Sequence, residues 1–443
     1  MAELFPERLL AGAITFQVLK SNTETKDRNW RSWLLQTLAL GLALFGIVHI
    51  VHDLPARARG NDFAHYYITS RLLLTGGDLY SIPLEPEYQR WGFRYTHAIP
   101  TATNPPLLVA IFSPFALLPP AMAFWGWVIL EILSLGWILV LTWRLLRDRV
   151  SLPARWLVCG AVIASAPIYW HFFFSQCQLL IAAVILQAYW YLRNGRPLSA
   201  CLTVTTTVWL KLFPVVLVPW FLWRSSREWS TRWKCAGAVL AWSAVLVLAS
   251  GLENWQQFWT HGMKVVDDWI VWQRHFNFTV PAFVKNAAWS FQGFDPQWNE
   301  LHAWANVGAL IGLALIVLVY GICWKNGRGA TGADLESEFC LMSAAMLAGI
   351  SEAWGHYLVL LIFPAAMAVA RMGRKPTPGR IVTLGIALVM LNLMGDFRSP
   401  WLEFVVSYIP LYGLLLLGAF FATESLNSQS TGVASTRSAP PSS

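Results

Sequence analysis

From His302 to Trp324 the chain runs for 23 residues without an Asp, Glu, Lys or Arg. About 20 consecutive apolar residues, wound as a helix, cross the roughly 30 Å hydrocarbon core of a bilayer, so such a run has no better place to fold than a membrane. Comparable runs lie at 33–51, 121–143, 156–171, 178–192, 235–251, 337–350, 356–370, 381–397 and 402–421. Together they predict an all-α polytopic membrane protein with about ten full transmembrane helices. The composition agrees, because 56% of the 443 residues are hydrophobic and only 13% are charged. No cleavable signal is expected. The first apolar run begins about 30 residues in, lacks a short core with a small-residue cleavage site, and reads as an anchor.

The net charge of +8 does not point to nucleic acid, since the basic residues sit in short loops between apolar runs and read as topogenic. With the N-terminus placed in the cytoplasm, 22 Lys and Arg fall on inside segments and nine on outside ones, which sets both termini inside. This predicts a cytoplasmic segment 1–32, a membrane domain 33–421 with outer loops 52–120 and 252–301, and a Ser/Thr-rich, disordered cytoplasmic tail 422–443. The six cysteines are scattered without CxxC spacing, so they suggest neither a disulfide framework nor a zinc site.

The segment "LSACLTVTTTVWLKLFPVVLVPWFLW" (198–223) breaks the pattern, because it joins two basic loops that belong on the same side. Lys211 and Pro214 split it into halves of about a dozen residues, each about 15–18 Å long and able to reach only mid-bilayer. The reading is a re-entrant or broken hairpin. Irregular backbone at that depth is tolerated only inside protein or along a cavity, so the break marks a site. In the outer loops, "PPLLVAIFSPFALLPP" (105–120) is too short to span and is expected to lie along the outer interface.

Polar residues that stand out near the outer face are few. In "GNDFAHYYITSRLLLTGGDLY" (60–80), Asp62 and Tyr66 are four apart and would share a helix face. A carboxylate among aromatics at the membrane edge is a candidate base, and a helix cap is the plain alternative. Arg71 could meet a phosphate or pair with Asp78. Lys211 suits an anion site or a salt bridge at the hairpin apex. Gln176, Gln178 and Glu352 could hydrogen-bond a polar ligand or join helices, and His356 could meet an anion or only end a helix. The pair Asp267/Asp268 invites a metal, yet "KVVDDWIVWQR" (264–274) reads equally as an interfacial helix with Trp anchors.

Four stretches in register resemble glycosyltransferase family 87, membrane-embedded GT-C enzymes that include polyprenyl-phosphate-mannose-dependent α-mannosyltransferases. They are "DFAHYYITSRLLLTGGDLY" with "NPPLLVAIFSPFALLP" (104–119), the Gln-containing helix with its Lys-Pro hairpin (175–224), "NFTVPAFVKN" (277–286) and "SEAWGHYLVLLIFP" (351–364). The resemblance implies a GT-C-like bundle with an outward-facing catalytic cavity and an inverting hexose transfer, mannose by analogy, from a polyprenyl-phosphate sugar. It carries Asp62 as base, Lys211 as the hairpin lysine, His356 as the helix-start histidine and Asn277 as the outer-loop asparagine, and the positive charge that a leaving lipid phosphate needs makes His356, Arg274 and, deeper, Lys211 the candidates to meet it. The substrate would contact Tyr66, Tyr67, Arg71, Asn104, Gln176, Gln178, Asn277 and Glu352. "TNPP" stands where the family more often has Tyr-Pro-Pro, and Gly355 and Tyr357 beside His356 also depart from it, which leaves sugar and acceptor open.

The expected partners are the lipid-linked donor, a lipid or glycan acceptor and membrane lipids. No cofactor or metal is expected, because a monophosphate leaving group needs less charge neutralisation than a pyrophosphate. The expected location is a bacterial-type inner membrane, with the active site extracytoplasmic. A secondary transporter would explain the broken helix and buried lysine, but two pseudo-symmetric halves with matching breaks are not visible. A catalytically inactive envelope-polymer assembly protein is the other alternative.

Overall fold

The computed structural model describes residues 7–57, 61–95, 100–272, 277–291, 298–325, 332–373, 377–393 and 406–436, and every regular element among them is helical. α1 (Glu7–Arg57) leads to the outer-loop helices α2 (Asn61–Leu74), α3 (Glu85–Arg90) and α4 (Pro106–Ala116). Next come α5 (Pro120–Leu146), α6 (Leu152–Ile163), α7 (Ala166–Phe174), α8 (Gln178–Arg193), α9 (Pro197–Leu210), α10 (Val218–Arg224) and α11 (Trp229–Ala249). The second long loop carries α12 (Leu252–Gln257), α13 (Met263–Trp272) and α14 (Val280–Phe291). The chain returns to the bundle with α15 (Trp298–Lys325), α16 (Gly332–Gly349), α17 (Ile362–Met372), α18 (Pro378–Asn392) and α19 (Ile409–Thr436).

Seven helical stretches among the described residues are long and apolar enough to cross a membrane: Trp30–Arg57, Pro120–Leu146, Leu152–Phe174, Trp229–Ala249, Glu300–Lys325, Gly355–Met372 and Ile409–Leu426. The protein is therefore a polytopic, all-helical membrane protein. The other three expected spans, 178–192, 337–350 and 381–397, fall largely on α8, α16 and α18. α8 and α18 are only 16 and 15 residues long, and α16 carries Glu336 and Glu338. α1 runs through residue 32 and α19 through residue 422.

Helix contacts are made where side chains are small. A methyl group on Gly160 of α6 would meet the Ala39 carbonyl oxygen of α1 at 2.3 Å, and one on Gly46 of α1 would meet the Ile163 carbonyl at 2.4 Å. With lipid tails as apolar as the helices, such close backbone approach is a main source of association energy in a bilayer. Gly160→Val is expected to lower stability by about 1–3 kcal/mol through overpacking, read as a lower melting temperature of the solubilised protein. An unchanged melting curve would show that α1 is only loosely attached.

The expected hairpin is present. α9 ends at Leu210, Lys211 is extended at φ −150° and ψ 127°, a 3-10 stretch follows at Phe213–Leu217, and α10 completes the segment. Its two ends are tied to one end of α16. Arg193, just before α9, pairs with Glu336 at 2.9 Å, and Arg224, closing α10, donates from Nε to Glu338 at 2.7 Å. Lys211 is therefore the apex of a segment that enters the bundle and turns back.

Glu336 lies at the centre of a buried charge cluster that the sequence did not announce. Arg149 donates to its carboxylate from Nη2 at 2.8 Å, and Arg193 and Arg371 approach within 2.9 and 3.7 Å. Arg371 and Arg380 share Glu424 on α19. Four arginines from separate segments, three of them centred on one fully buried acid, thus knit the basic end of the bundle together.

Candidate active site

At the opposite end from the Glu336 cluster, a cavity of about 210 Å³ opens among α2, the α7–α8 turn, the hairpin apex, the loop before α17 and the start of α13. Asp62 stands in the first turn of α2 and Tyr66 one turn on, and both line the cavity as their spacing predicted. α2 is held in place by aromatic packing on α4 and α5. Phe63 meets Phe124 at 5.1 Å and Phe112 at 5.8 Å, and Tyr66 meets Trp127 at 5.9 Å.

The third member of this group comes from far along the chain. Ser175 ends α7 in the left-handed conformation at φ 56°, unusual for a residue other than glycine. Gln176 follows it, and its amide bridges the two α2 residues. Nε2 donates to Asp62 Oδ2, and Oε1 accepts from the Tyr66 hydroxyl at 2.7 Å. Burial pushes the Tyr66 hydroxyl well above its ordinary range, so it remains a donor throughout the physiological range. Tyr66 and Gln176 therefore fix the orientation of the Asp62 carboxylate. Tyr66→Phe removes one link of this chain and is expected to lower turnover about 5–10-fold with little change in folding, measured as initial transfer rate at matched expression.

Lys211, Glu352 and His356 also line the cavity, with Asn104 on the α4 side. Asp62, Lys211 and Glu352 are close enough for their charges to act on one another. Glu352 Oε1 accepts from Trp354 Nε1 at 2.7 Å. Burial pushes the Glu352 carboxyl above the usual carboxylate range, an effect reduced by the Lys211 ammonium and the Trp354 donor. The His356 ring packs between Phe174 at 5.5 Å and Tyr357 at 5.0 Å.

Of the residues singled out from the sequence, Asp62, Tyr66, Asn104, Gln176, Lys211, Glu352 and His356 share this cavity. Four others do not line it, and three of these have visible structural work. Tyr67 donates its hydroxyl to the Leu118 carbonyl at 3.0 Å. Arg71 donates to the Ala116 carbonyl at 3.1 Å and stacks on Trp91 at 4.5 Å, while its supposed partner Asp78 caps the backbone N–H groups of Tyr80 and Ser81 after the Gly76 turn. Asn277 donates to the Ser351 carbonyl at 2.9 Å and accepts from the Ala353 N–H at 3.0 Å, which clamps the second outer loop onto the segment that carries Glu352. Gln178 is buried at the first residue of α8. Arg274 lies outside the described residues.

The cavity also uses residues the sequence reading passed over. His65 and Thr103 line one wall, and Thr103 N–H approaches His65 Nε2 at 3.4 Å. Phe258, Met263 and Val266 reach in from the second outer loop. Beyond the lining, Glu131 of α5 and His171 of α7 form a fully buried contact of 2.9 Å. The isolated Glu131 in a long apolar run was a usable signal, because an acid at that depth requires a partner. Asp267 and Asp268 do not line the cavity. Among the described residues, no group of three or more His, Cys, Asp or Glu is arranged to hold a metal ion.

Residues 102–348 match the family model of glycosyltransferase family 87. The chain belongs to glycosyltransferase family 87. The matched segment contains Asn104, Gln176 and Lys211, whereas Asp62, Glu352 and His356 lie on either side of it. A longer similarity joins this family member to a polyprenol-phosphate-mannose-dependent alpha-(1-2)-phosphatidylinositol mannoside mannosyltransferase of Mycobacterium tuberculosis. The two are 25% identical over 389 residues, covering 83% of this chain and 81% of the relative. Family membership and the apolar helices together make the protein a membrane glycosyltransferase.

Proposed function

We propose that the protein transfers a hexose, with mannose the first candidate, from a polyprenyl-phosphate sugar to a lipid or glycan acceptor at the outer face of a bacterial-type inner membrane. The observation that carries this reading is the convergence of Asp62, Lys211 and His356 on one cavity from three distant parts of the chain. The donor chemistry is suggested by the mycobacterial relative, whose name specifies polyprenol-phosphate-mannose dependence.

The reaction needs one base and one site for a leaving phosphate. Asp62 takes the proton of the acceptor hydroxyl as that oxygen bonds to the anomeric carbon. The bond from the anomeric carbon to the phosphate oxygen breaks, and the polyprenyl phosphate departs with the electron pair. Lys211 and His356 meet the charge that develops on it. A single displacement of this kind inverts the anomeric configuration. Outer-face action is supported by the arginine cluster at the end of the bundle away from the cavity, which the positive-inside rule places in the cytoplasm. Both termini are then cytoplasmic, and no metal or cofactor takes part.

The test is transfer by the purified protein in liposomes, with radiolabelled polyprenyl-phosphate mannose and a lipid extract as acceptor, resolved by mass spectrometry. The wild type is expected to form a mannosylated lipid or glycan of inverted configuration. Lys211→Met is expected to lower kcat by about 10²-fold or more. Wild-type levels of transfer by the variant would remove Lys211 from the phosphate site, and absence of transfer by the wild type from any polyprenyl-phosphate sugar would remove the donor assignment.

A further inference from the structure

Glu131 is the only acidic residue of α5 and stands near the middle of this membrane-crossing helix. Its carboxylate meets His171 Nε2 of α7 at 2.9 Å, and both side chains are buried. Neither residue lines the catalytic cavity, and the reaction outlined above uses neither. An ionisable pair at that depth is costly to keep, and residues of this kind mark proton and ion chemistry in membrane proteins.

The pair stands behind His356. α7 packs along Gly355–Leu361, the 3-10 helix that carries His356. Phe174 shares a face of α7 with His171, one turn earlier, and brings its ring to 5.5 Å from that of His356. His171 is near enough for a charge on it to act on His356. Both ring nitrogens of His356 are buried and make no hydrogen bond to any described residue, so the ring is open to a ligand in the cavity it lines. Two neighbouring imidazolium ions oppose each other, so the two rings hold one proton between them more readily than two, and Glu131 is the counter-charge to that proton.

The charges in the cavity give this proton a use. Among the described lining residues Asp62 and Glu352 are acids, and Lys211 is the only Lys or Arg. A sugar phosphodiester brings one negative charge, and breaking its bond to the anomeric carbon leaves a phosphate monoester with a second. Lys211 alone does not balance these charges in a site of low dielectric. We infer that Glu131 and His171 are positioning residues for His356, holding one exchangeable proton behind the phosphate site and passing it to His356 as the leaving group gains charge. The inference rests on the polyprenyl-phosphate reading above. Before the bond breaks the proton is on the Glu131–His171 pair, which is then neutral overall, and His356 is a neutral ring. Afterwards His356 is cationic and donates an N–H to the phosphate, His171 is neutral and Glu131 is anionic. The proton taken from the acceptor hydroxyl stays on Asp62, so the two proton movements are separate and none is gained or lost in the step.

The experiment compares wild type, Glu131→Gln and Glu131→Asp in liposomes with polyprenyl-phosphate mannose as donor. Gln keeps the shape of the side chain and removes its charge, whereas Asp keeps the charge and shortens the chain. Glu131→Gln is expected to lower kcat about 10-fold with KM for the donor unchanged, a smaller loss than direct removal of a hydrogen-bond donor at the developing charge, and Glu131→Asp to retain most of the rate. The reverse order, or an unchanged kcat for Glu131→Gln, shows that the pair only fastens α5 to α7 and overturns the proposal. In a His356→Asn background, Glu131→Gln is expected to cost less than about 2-fold more, because the group it acts through is gone; losses that multiply overturn the proposal. As a measurement on the wild type, nitrogen-15-labelled histidines are followed by NMR as farnesyl phosphate is added. The His356 signal, assigned by its loss in His356→Asn, is expected to turn cationic, and a ring that stays neutral overturns the proposal. If the wild type transfers sugar from no polyprenyl-phosphate donor, the donor reading fails and this inference with it; normal transfer with equal kcat for wild type and Glu131→Gln removes the inference alone.

Discussion

Asp62→Asn is expected to reduce glycosyl transfer about 10³-fold while leaving the protein folded. The substitution keeps the shape and the possibility of a hydrogen bond with Gln176 but removes the basic lone pair, so a deprotonation defect separates from a packing defect. The competing reading, that Asp62 only favours the α2 N-terminus from its first turn, has a small magnitude. An acidic residue there contributes about 0.3–1 kcal/mol to the helix, which would lower stability slightly and turnover hardly at all. The discriminating measurement is transfer at matched expression, scored by mass spectrometry of lipids and glycans beside a melting curve. Equal rates for Asp62→Asn and wild type would assign Asp62 to the helix terminus and leave the cavity without its base.

The largest expected effect on stability belongs to Glu336→Gln. Glu336 is fully buried and faces Arg149, Arg193 and Arg371, so neutralising it leaves three guanidinium groups around a site with no carboxylate. Removing one side of a buried charge pair typically costs about 3–5 kcal/mol, far more than an exposed pair. The expected result is a large fall in melting temperature of the detergent-solubilised protein and poor recovery from membranes. Glu424→Gln is the internal comparison, because Glu424 is a quarter exposed and water can partly replace what its arginines lose. The cluster is at the far end from the cavity, so whatever Glu336→Gln protein survives should retain near-normal activity per molecule. Melting curves that coincide for the Glu336 variant and wild type would show that the cluster is solvated and contributes little.

How much of the site could be read in advance depended on how local the determining geometry is. Asp62 and Tyr66 are four residues apart on one helix, and helix periodicity alone puts them on a common face, as observed. The break at Lys211 was legible because a lysine and a proline inside an apolar run leave halves too short to cross. By contrast, Tyr67, Arg71 and Asn277 lie in motif stretches yet serve packing and loop attachment, since a motif records which residues are present and not which way they face. Cavity-facing Phe258, Met263 and Val266 were missed because they are apolar residues on short outer-loop elements, where neither charge nor helical spacing distinguishes them.

The sequence by itself determined that the chain is a bundle of apolar helices, where the broken hairpin falls and which acid begins α2, because each follows from backbone hydrogen bonding in hydrocarbon or from spacing within one helix. Only the tertiary structure decided that Gln176 clasps Asp62 across 114 residues of chain, that Glu352 and His356 face Lys211's cavity, and that Glu336 meets three arginines. Those pairings depend on which helix surfaces fit together, as at Gly160 against Ala39. Complementarity of that kind belongs to two distant segments at once and leaves no mark on either alone.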